Sequence, residues 1–218
     1  RGDSSGFYYS RYDAPLAGQD YTGVNYYQKL YFHTLGQPQA EDELVYERPD
    51  QKEWGFGADV TEDGRYLILN VWQGTDVRNR LFYQDLEVGG PVVELISDLE
   101  AAFEFVGNDG ALFYLRTDLD APRSKLIAVN TDQPGREQWR VLIPERDDVL
   151  EAVKLVHDEF IALYLHDAHH RLERYDVRGD LIGDIKLPAM GAIPSNGAFL
   201  NLTGRREDDE LFYGYWSF

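Results

Sequence analysis

The 218-residue sequence contains no cysteine, a single methionine and no apolar run of the roughly 18 residues that a membrane-spanning helix needs. Without cysteine there can be no disulfide, no thiolate metal site and no cysteine nucleophile. The composition fits a reducing compartment, and a cytoplasmic location is expected. Cations are scarce too: 21 Lys and Arg stand against 39 Asp and Glu, a net charge of −18. Phosphate backbones and anionic membranes both need clustered cations, so neither a nucleic acid nor a membrane is an expected partner. The N-terminus reads Arg1-Gly2-Asp3, with no initiator methionine and no apolar stretch behind it. It predicts neither a signal peptide nor a membrane anchor, and the chain reads as a piece of a longer polypeptide. Helical periodicity is also thin. Asp98 to Phe105 is the best helical candidate, but Leu99, Ala101, Phe103 and Phe105 alternate with a period of two and predict a strand.

What the chain does have is apolar material for a core, 43% of its residues, and an aromatic content of 14% mixed with many β-branched side chains. Such residues fit the pleated surface of a sheet. They also recur in phase. A basic or polar pair, a leucine and an alternating strand appear at Gln28 to Phe32, Asn79 to Tyr83, Ser124 to Ala128 and His170 to Tyr175. The leucines fall at 30, 81, 126 and 172, at spacings of 51, 45 and 46.

An acidic or glycine turn followed by an aromatic strand repeats alongside, at Asp3 to Tyr9, Glu62 to Leu67, Asn108 to Tyr114, His157 to Ala162 and Asp208 to Tyr213. Asp-Gly and Asn-Asp-Gly between apolar runs are hairpin signals, because Gly and Asn accept a positive φ. A strand before each turn (56–60, 102–106, 152–156, 198–202) and one closing each unit (44–46, 92–96, 139–143, 182–187) complete four strands per period.

Four antiparallel strands every ~45–50 residues predict an all-β fold, a β-propeller of four-stranded blades. A β-sandwich is the structural alternative, but it does not require every strand class to recur in phase. Whole blades are expected at about 53–96, 98–143 and 148–187, with a partial blade at 7–46 and another at 197–218. Two arrangements satisfy these boundaries. Either the chain is part of a larger ring, or strands 7–46 pair with strand 197–203 to make a self-closed four-bladed ring.

In sequence order, Phe7-Tyr8-Tyr9-Ser10-Arg11-Tyr12, Gln28 to Gly36, Trp54, Gly57 to Leu67, Asn79 to Tyr83, Trp139 to Glu145, Tyr164-Leu165-His166-Asp167 and Leu211 to Phe218 resemble the propeller domain of the prolyl oligopeptidase family. The resemblance covers essentially the whole chain. It implies the central blades of a seven-bladed propeller that caps an α/β-hydrolase domain of the same polypeptide, which carries a Ser-Asp-His triad. It also implies that short proline-containing peptides are the substrates, that the cap limits access by size, and that no catalytic residue, cofactor or metal lies in this chain.

By that resemblance, the loop Asn70 to Asp76 faces the active-site cavity. Better-known members of the family carry arginine, cysteine and methionine where this chain has Trp72, Thr75 and Gly55. Those three are the candidate substrate-facing residues. An indole can stack on a proline ring or line an apolar pocket, but it cannot reproduce the hydrogen bonds of a guanidinium. Trp72 as ordinary packing is the alternative.

Other motifs have plainer readings. Gly2-Asp3-Ser4-Ser5-Gly6 satisfies the G-x-S-x-G pattern of a serine nucleophile. That motif needs a strand before it and a helix after it, and a strand is expected after this one. Arg1-Gly2-Asp3 matches an adhesion tripeptide by chance. His166-Asp167-Ala168-His169-His170 concentrates imidazoles, but no closing fourth ligand is evident, so a hairpin end facing water is expected. The acidic runs Asp147-Asp148 and Glu207 to Glu210 lack the alternating oxygens and glycine of a calcium loop. The expected function is therefore that of a non-catalytic propeller portion gating a serine peptidase. The alternative is a free-standing propeller used as a protein-interaction module.

Overall fold

The computed structural model describes residues 4–13, 25–194 and 202–217. They belong to two compact units, Arg1–Ala102 and Phe103–Phe218. In the first, β1 (Gly6–Arg11), β2 (Lys29–Thr34) and β3 (Glu43–Tyr46) form a three-stranded antiparallel sheet. β4 (Trp54–Val60), β5 (Tyr66–Gln73), β6 (Arg80–Asp85) and β7 (Val93–Ile96) form a four-stranded one in chain order.

The β4–β5 turn shows why the acidic glycine block reverses the chain. The Asp63 carboxylate accepts from the Thr61 hydroxyl and from the Arg65 amide at 3.0 Å, and Gly64 takes a φ of +75°. The Asp side chain stands in for backbone partners in the turn, and glycine accepts the left-handed conformation without a Cβ penalty. The two sheets meet through Leu30 and Tyr8 on one side and Trp54, Phe56, Leu67, Leu69, Val71 and Phe82 on the other. Phe56 is also tied at both its backbone groups. Its N–H donates to the Gln28 side chain at 2.6 Å, and its carbonyl accepts from the Ser10 hydroxyl.

In the second unit, β8 (Phe103–Asp109), β9 (Leu112–Thr117), β10 (Lys125–Asn130) and β11 (Arg140–Ile143) make one sheet. β12 (Val149–Val156), β13 (Glu159–His166), β14 (His169–Asp176) and β15 (Leu181–Ile185) make the next. Strand β13 explains the layering. Phe160, Ala162 and Tyr164 pack on Tyr114, Leu126 and Leu142 of the preceding sheet. Their alternates Ile161 and Leu163 pack on Ile193 and Leu202 of the segment that follows. A sheet covered on both faces needs apolar residues at consecutive positions, which is what Phe160 to Leu165 supplies.

The four phased leucines are all buried, Leu30 at 0%, Leu81 at 2%, Leu126 at 0% and Leu172 at 1% exposure. Leu30 lies on the second strand of the three-stranded sheet and the other three on the third strand of a four-stranded sheet, and each pairs with an outer-strand residue: Tyr46, Ile96, Ile143 and Ile185. In three of the four, the pairing register shifts immediately after the leucine. A bulge there bends the short outer strand and raises its twist. The repeat therefore encodes a packing position and a bend together.

Two expectations change. The terminal region begins before residue 197: β16 (Gly191–Ala192) pairs with β19 (Trp216–Ser217), and β17 (Leu202–Thr203) pairs with β18 (Phe212–Tyr213). Gly191 allows this because a Cβ there would strike the Trp216 carbonyl. The sheets are also not closed, so the self-closed four-bladed ring is not formed among the described residues. Among the described strands β17 is hydrogen-bonded to β18, and β1 to β2. Residues 198–201 of the anticipated strand 198–202 lie outside the described residues.

Candidate functional site

Strands β4 and β5 place Gly55 opposite Trp72 and Gly57 opposite Asn70. Alternation sends Trp54 and Phe56 into the core shared with the first sheet, leaving Gly55, Gly57 and Trp72 on the other face. The indole of Trp72 lies flat across this glycine pair. A Cβ at Gly55 would overlap the indole at Cε2, Nε1 and Cζ2, and one at Gly57 would touch Cζ3 at 3.4 Å. Trp72 is half-buried and Gly55 is buried.

Thr75 stands apart, exposed on the turn beyond Gly74, whose φ is +58°. The turn is held by Asp76, whose carboxylate accepts from Arg78 through the backbone amide at 2.9 Å and the guanidinium at 2.6–2.9 Å. The Arg78 side-chain bond leads the causes that lower the Asp76 carboxyl to about 2. Behind the turn, the Asn79 side chain donates to Asn70 Oδ1 at 2.7 Å, and its amide donates to the Ala101 carbonyl at 3.2 Å. Of the three candidates, the structure therefore joins Trp72 to Gly55 and leaves Thr75 separate.

A second aromatic feature of the same sheet was missed by sequence reasoning. The guanidinium groups of Arg48 and Arg80 lie 4.5 and 4.3 Å from the Trp54 ring centroid. Arg48 also bonds Asp50 at 2.8 Å and Glu94 at 2.6 Å, whereas Arg80 Nη1 is buried without a hydrogen-bond partner. Burial, then the nearby Arg48 charge, lowers the Arg80 pKa. Close by, a cavity of about 150 Å³ is lined by Tyr27, Lys29, Glu47 and Arg48 among others. The basic residues are far apart in sequence, so only the alternation of β6 could have hinted at the stack.

In the second unit, Arg146 clamps the Glu173 carboxylate at 2.7 and 2.8 Å and lies 3.5 Å from the Tyr164 ring centroid. Burial pushes the Glu173 carboxyl up. The bonds from Arg146 and from the Tyr175 hydroxyl at 2.6 Å outweigh it and leave the group below the usual carboxylate range. The Tyr175 hydroxyl is raised in turn, by burial first and then by Glu173.

The histidines separate into different pairs. His166 Nδ1 meets Asp148 at 2.6 Å, His170 Nε2 meets Glu151 at 2.9 Å, and His169 lies edge-on to the His166 ring. No group of three metal-ligating side chains converges among the described residues. The acidic runs are engaged by cations and amides: Asp148 by Arg146 at 3.0 Å, Asp208 by the Arg205 amide at 2.8 Å, and Asp209 by His157 at 3.0 Å. Gly2 and Asp3 of the serine motif, and all of Arg1-Gly2-Asp3, lie outside the described residues. Gly6 runs directly into β1, so a strand and not a helix follows Ser4 and Ser5.

Sequential four-stranded meanders, each packed on its neighbour within its unit, define a β-propeller domain. The chain belongs to the prolyl oligopeptidase family, as its N-terminal β-propeller domain, whose family model matches residues 1–218. It is 32% identical over 213 residues to the prolyl endopeptidase of Elizabethkingia meningoseptica, covering 98% of this chain and 29% of that protein. It is 30% identical to prolyl oligopeptidase A of Galerina marginata, covering 89% of this chain and 28% of that protein. A solved prolyl endopeptidase superimposes with a TM-score of 0.84 at 30% identity, over 97% of this chain and 29% of that one. Prolyl oligopeptidase B of Galerina marginata, bound to a 35mer hydrolysis and macrocyclization substrate, does so with a TM-score of 0.83 at 28% identity, again over 97% and 29%. The chain thus spans about 29% of the length of the relatives it matches.

Proposed function

We propose that this chain is the non-catalytic propeller portion of a cytoplasmic serine peptidase that cleaves after proline, and that it restricts which peptides reach a catalytic α/β-hydrolase domain elsewhere in the polypeptide. The observation that carries the proposal is the co-linear match of all 218 residues to the propeller of proteins named for prolyl cleavage. The chemistry is then acyl transfer by a histidine-activated serine with an oxyanion hole, supplied by the other domain. The part assigned to this chain is exclusion by size and a shaped wall for the peptide, with the Trp72 indole as an apolar surface suited to a proline ring. The cytoplasmic assignment rests on the absence of cysteine.

The test uses the full-length protein and this chain side by side. The full-length protein is expected to hydrolyse a chromogenic Gly-Pro substrate and short proline peptides, to spare folded proteins, and to be silenced by a serine-directed inhibitor. The isolated chain is expected to hydrolyse none of them. Inhibitor-sensitive turnover by the isolated chain would overturn the assignment, as would equal cleavage of short peptides and folded proteins by the whole. In the full-length protein, Trp72→Ala should raise KM for proline peptides with kcat little changed. An unaltered KM would remove Trp72 from the substrate wall.

A further inference from the structure

His170 differs from every other histidine described in this chain in what its two ring nitrogens meet. It is 8% exposed, on the face of β14 that carries Leu172. Its Nδ1 accepts the backbone N–H of Ile193 at 2.7 Å, and its Nε2 lies 2.9 Å from the Glu151 carboxylate. An N–H donor at Nδ1 requires a bare lone pair there, so the ring proton sits on Nε2 and is donated to Glu151. Glu151 reaches the ring from an irregular place in β12. The pairing of β12 with β13 skips from Leu150 to Ala152, and the extra residue at that bulge is Glu151. Bulges re-aim a side chain in this way.

Ile193, on the other side, is 0% exposed and belongs to the core that joins β12, β13 and β14 to the terminal strands. By contrast, His33 and His166 direct Nδ1 at carboxylates, Asp42 at 2.7 Å and Asp148 at 2.6 Å. A proton added to either of those rings strengthens its pair. A proton added to His170 can go only to Nδ1, where it would face the Ile193 N–H.

We propose that His170 is a proton-sensitive latch between the β12–β15 sheet and the segment at 191–193. With the ring neutral, the latch is closed. In acid, the Glu151 carboxylate holds the charged ring from the Nε2 side while the Ile193 N–H loses its acceptor. A buried amide without a partner is costly, so the segment leaves the sheet. Glu151 on β12 is the carboxyl group in contact with the ring. The elements packed there otherwise bring Leu163 and Leu165 from β13, Ile185 and Leu187 at the β15 edge, and Leu202, Leu211, Tyr213 and Tyr215 from the terminal segment. β14 and β15 also carry the titratable and charged residues His169, Arg171, Glu173, Arg174, Asp176 and Asp184, with Lys186 just past the β15 end. The latch does not depend on the peptidase reading.

The test is hydrogen exchange by mass spectrometry on the full-length protein at pH 7.5 and pH 5.5, corrected for intrinsic rates and read on peptides covering 189–194. Wild type should lose protection about tenfold or more at pH 5.5 in that segment. His170→Gln, whose side-chain oxygen cannot be protonated in this range, should show no such pH dependence, and His166→Gln should respond as wild type. Equal corrected protection at both pH values in wild type would overturn the latch, as would an undiminished pH response in His170→Gln. Should His170→Gln fail to fold, nitrogen-15 shifts of His170 in the wild-type protein decide the matter: the proton must be on Nε2 at pH 7.5, and a proton on Nδ1 refutes the proposal.

Discussion

The indole of Trp72 occupies the space that any side chain at Gly55 would need. The two residues are cross-strand partners, so the indole and the missing side chain are one packing arrangement. Gly55→Ala should force the indole off its seat and cost about 1–3 kcal/mol in denaturant unfolding. In a Trp72→Ala background the same change should cost much less. A double-mutant cycle with no coupling would separate the two residues.

Glu173 carries a prediction about buried charge. Glu173→Gln leaves the Arg146 guanidinium without its bidentate partner and should destabilise the protein by about 3 kcal/mol, measured by urea unfolding at pH 7. Replacing both residues by apolar ones of similar size should recover most of that loss. Because the carboxyl is held below its ordinary range in the fold, its contribution is complete above the unfolded-state value and disappears as pH falls through the lowered folded one. The difference between wild type and Glu173→Gln should therefore shrink below about pH 4.

Asp42 predicts a second acid-sensitive contact, in the other unit. It accepts from the Tyr9 hydroxyl at 2.5 Å and from His33 at 2.7 Å. Burial pushes its carboxyl up, and these two bonds more than reverse the effect, so it lies below the usual range. The sign is that of Glu173: stabilisation present at neutral pH and lost in acid. Asp42→Asn should lower the urea midpoint at pH 7, with the difference from wild type vanishing as pH drops below the carboxylate range.

Glycines separate strain from contact. Gly179 has a φ of +94°, and a Cβ there would strike the backbone of Leu142; Gly36 has a φ of +89° with nothing within 4 Å. Gly36→Ala should cost about 1 kcal/mol, from conformation alone. Gly179→Ala should cost clearly more, because backbone at the contact cannot swing away. Thermal unfolding of the two variants checks the order.

One substitution should stabilise. The β13–β14 hairpin turns on Asp167 and Ala168, both with positive φ at +42° and +60°, between the paired His166 and His169. This is the primed turn that favours glycine at its second position. Ala168→Gly should therefore add about 0.5–1 kcal/mol, read as a higher melting temperature.

Much of the fold was legible because a sheet covered on both faces imposes a strict local pattern. Leu81 and Leu126 announce the third strand of their units, and Asp63-Gly64 and Asp109-Gly110 announce the turns, each through chemistry confined to a few residues. The site was less legible. Trp72 and Gly55 could be singled out by resemblance, but their contact depends on a pairing register that neither residue specifies alone. The Arg48–Trp54–Arg80 stack and the Glu151–His170–Ile193 chain join residues from separate strands, and no spacing in the sequence marks them.

The sequence by itself determined the strand order, the hairpins and the alternation of buried positions, because backbone geometry and side-chain periodicity act between near neighbours. It determined the acidity of the surface as well. Only the tertiary structure decided that the indole lies over two glycines, that a bulge aims Glu151 at His170, and that β17 pairs with β18. Those outcomes depend on which strands meet at which register, and cooperative packing across whole sheets sets that register.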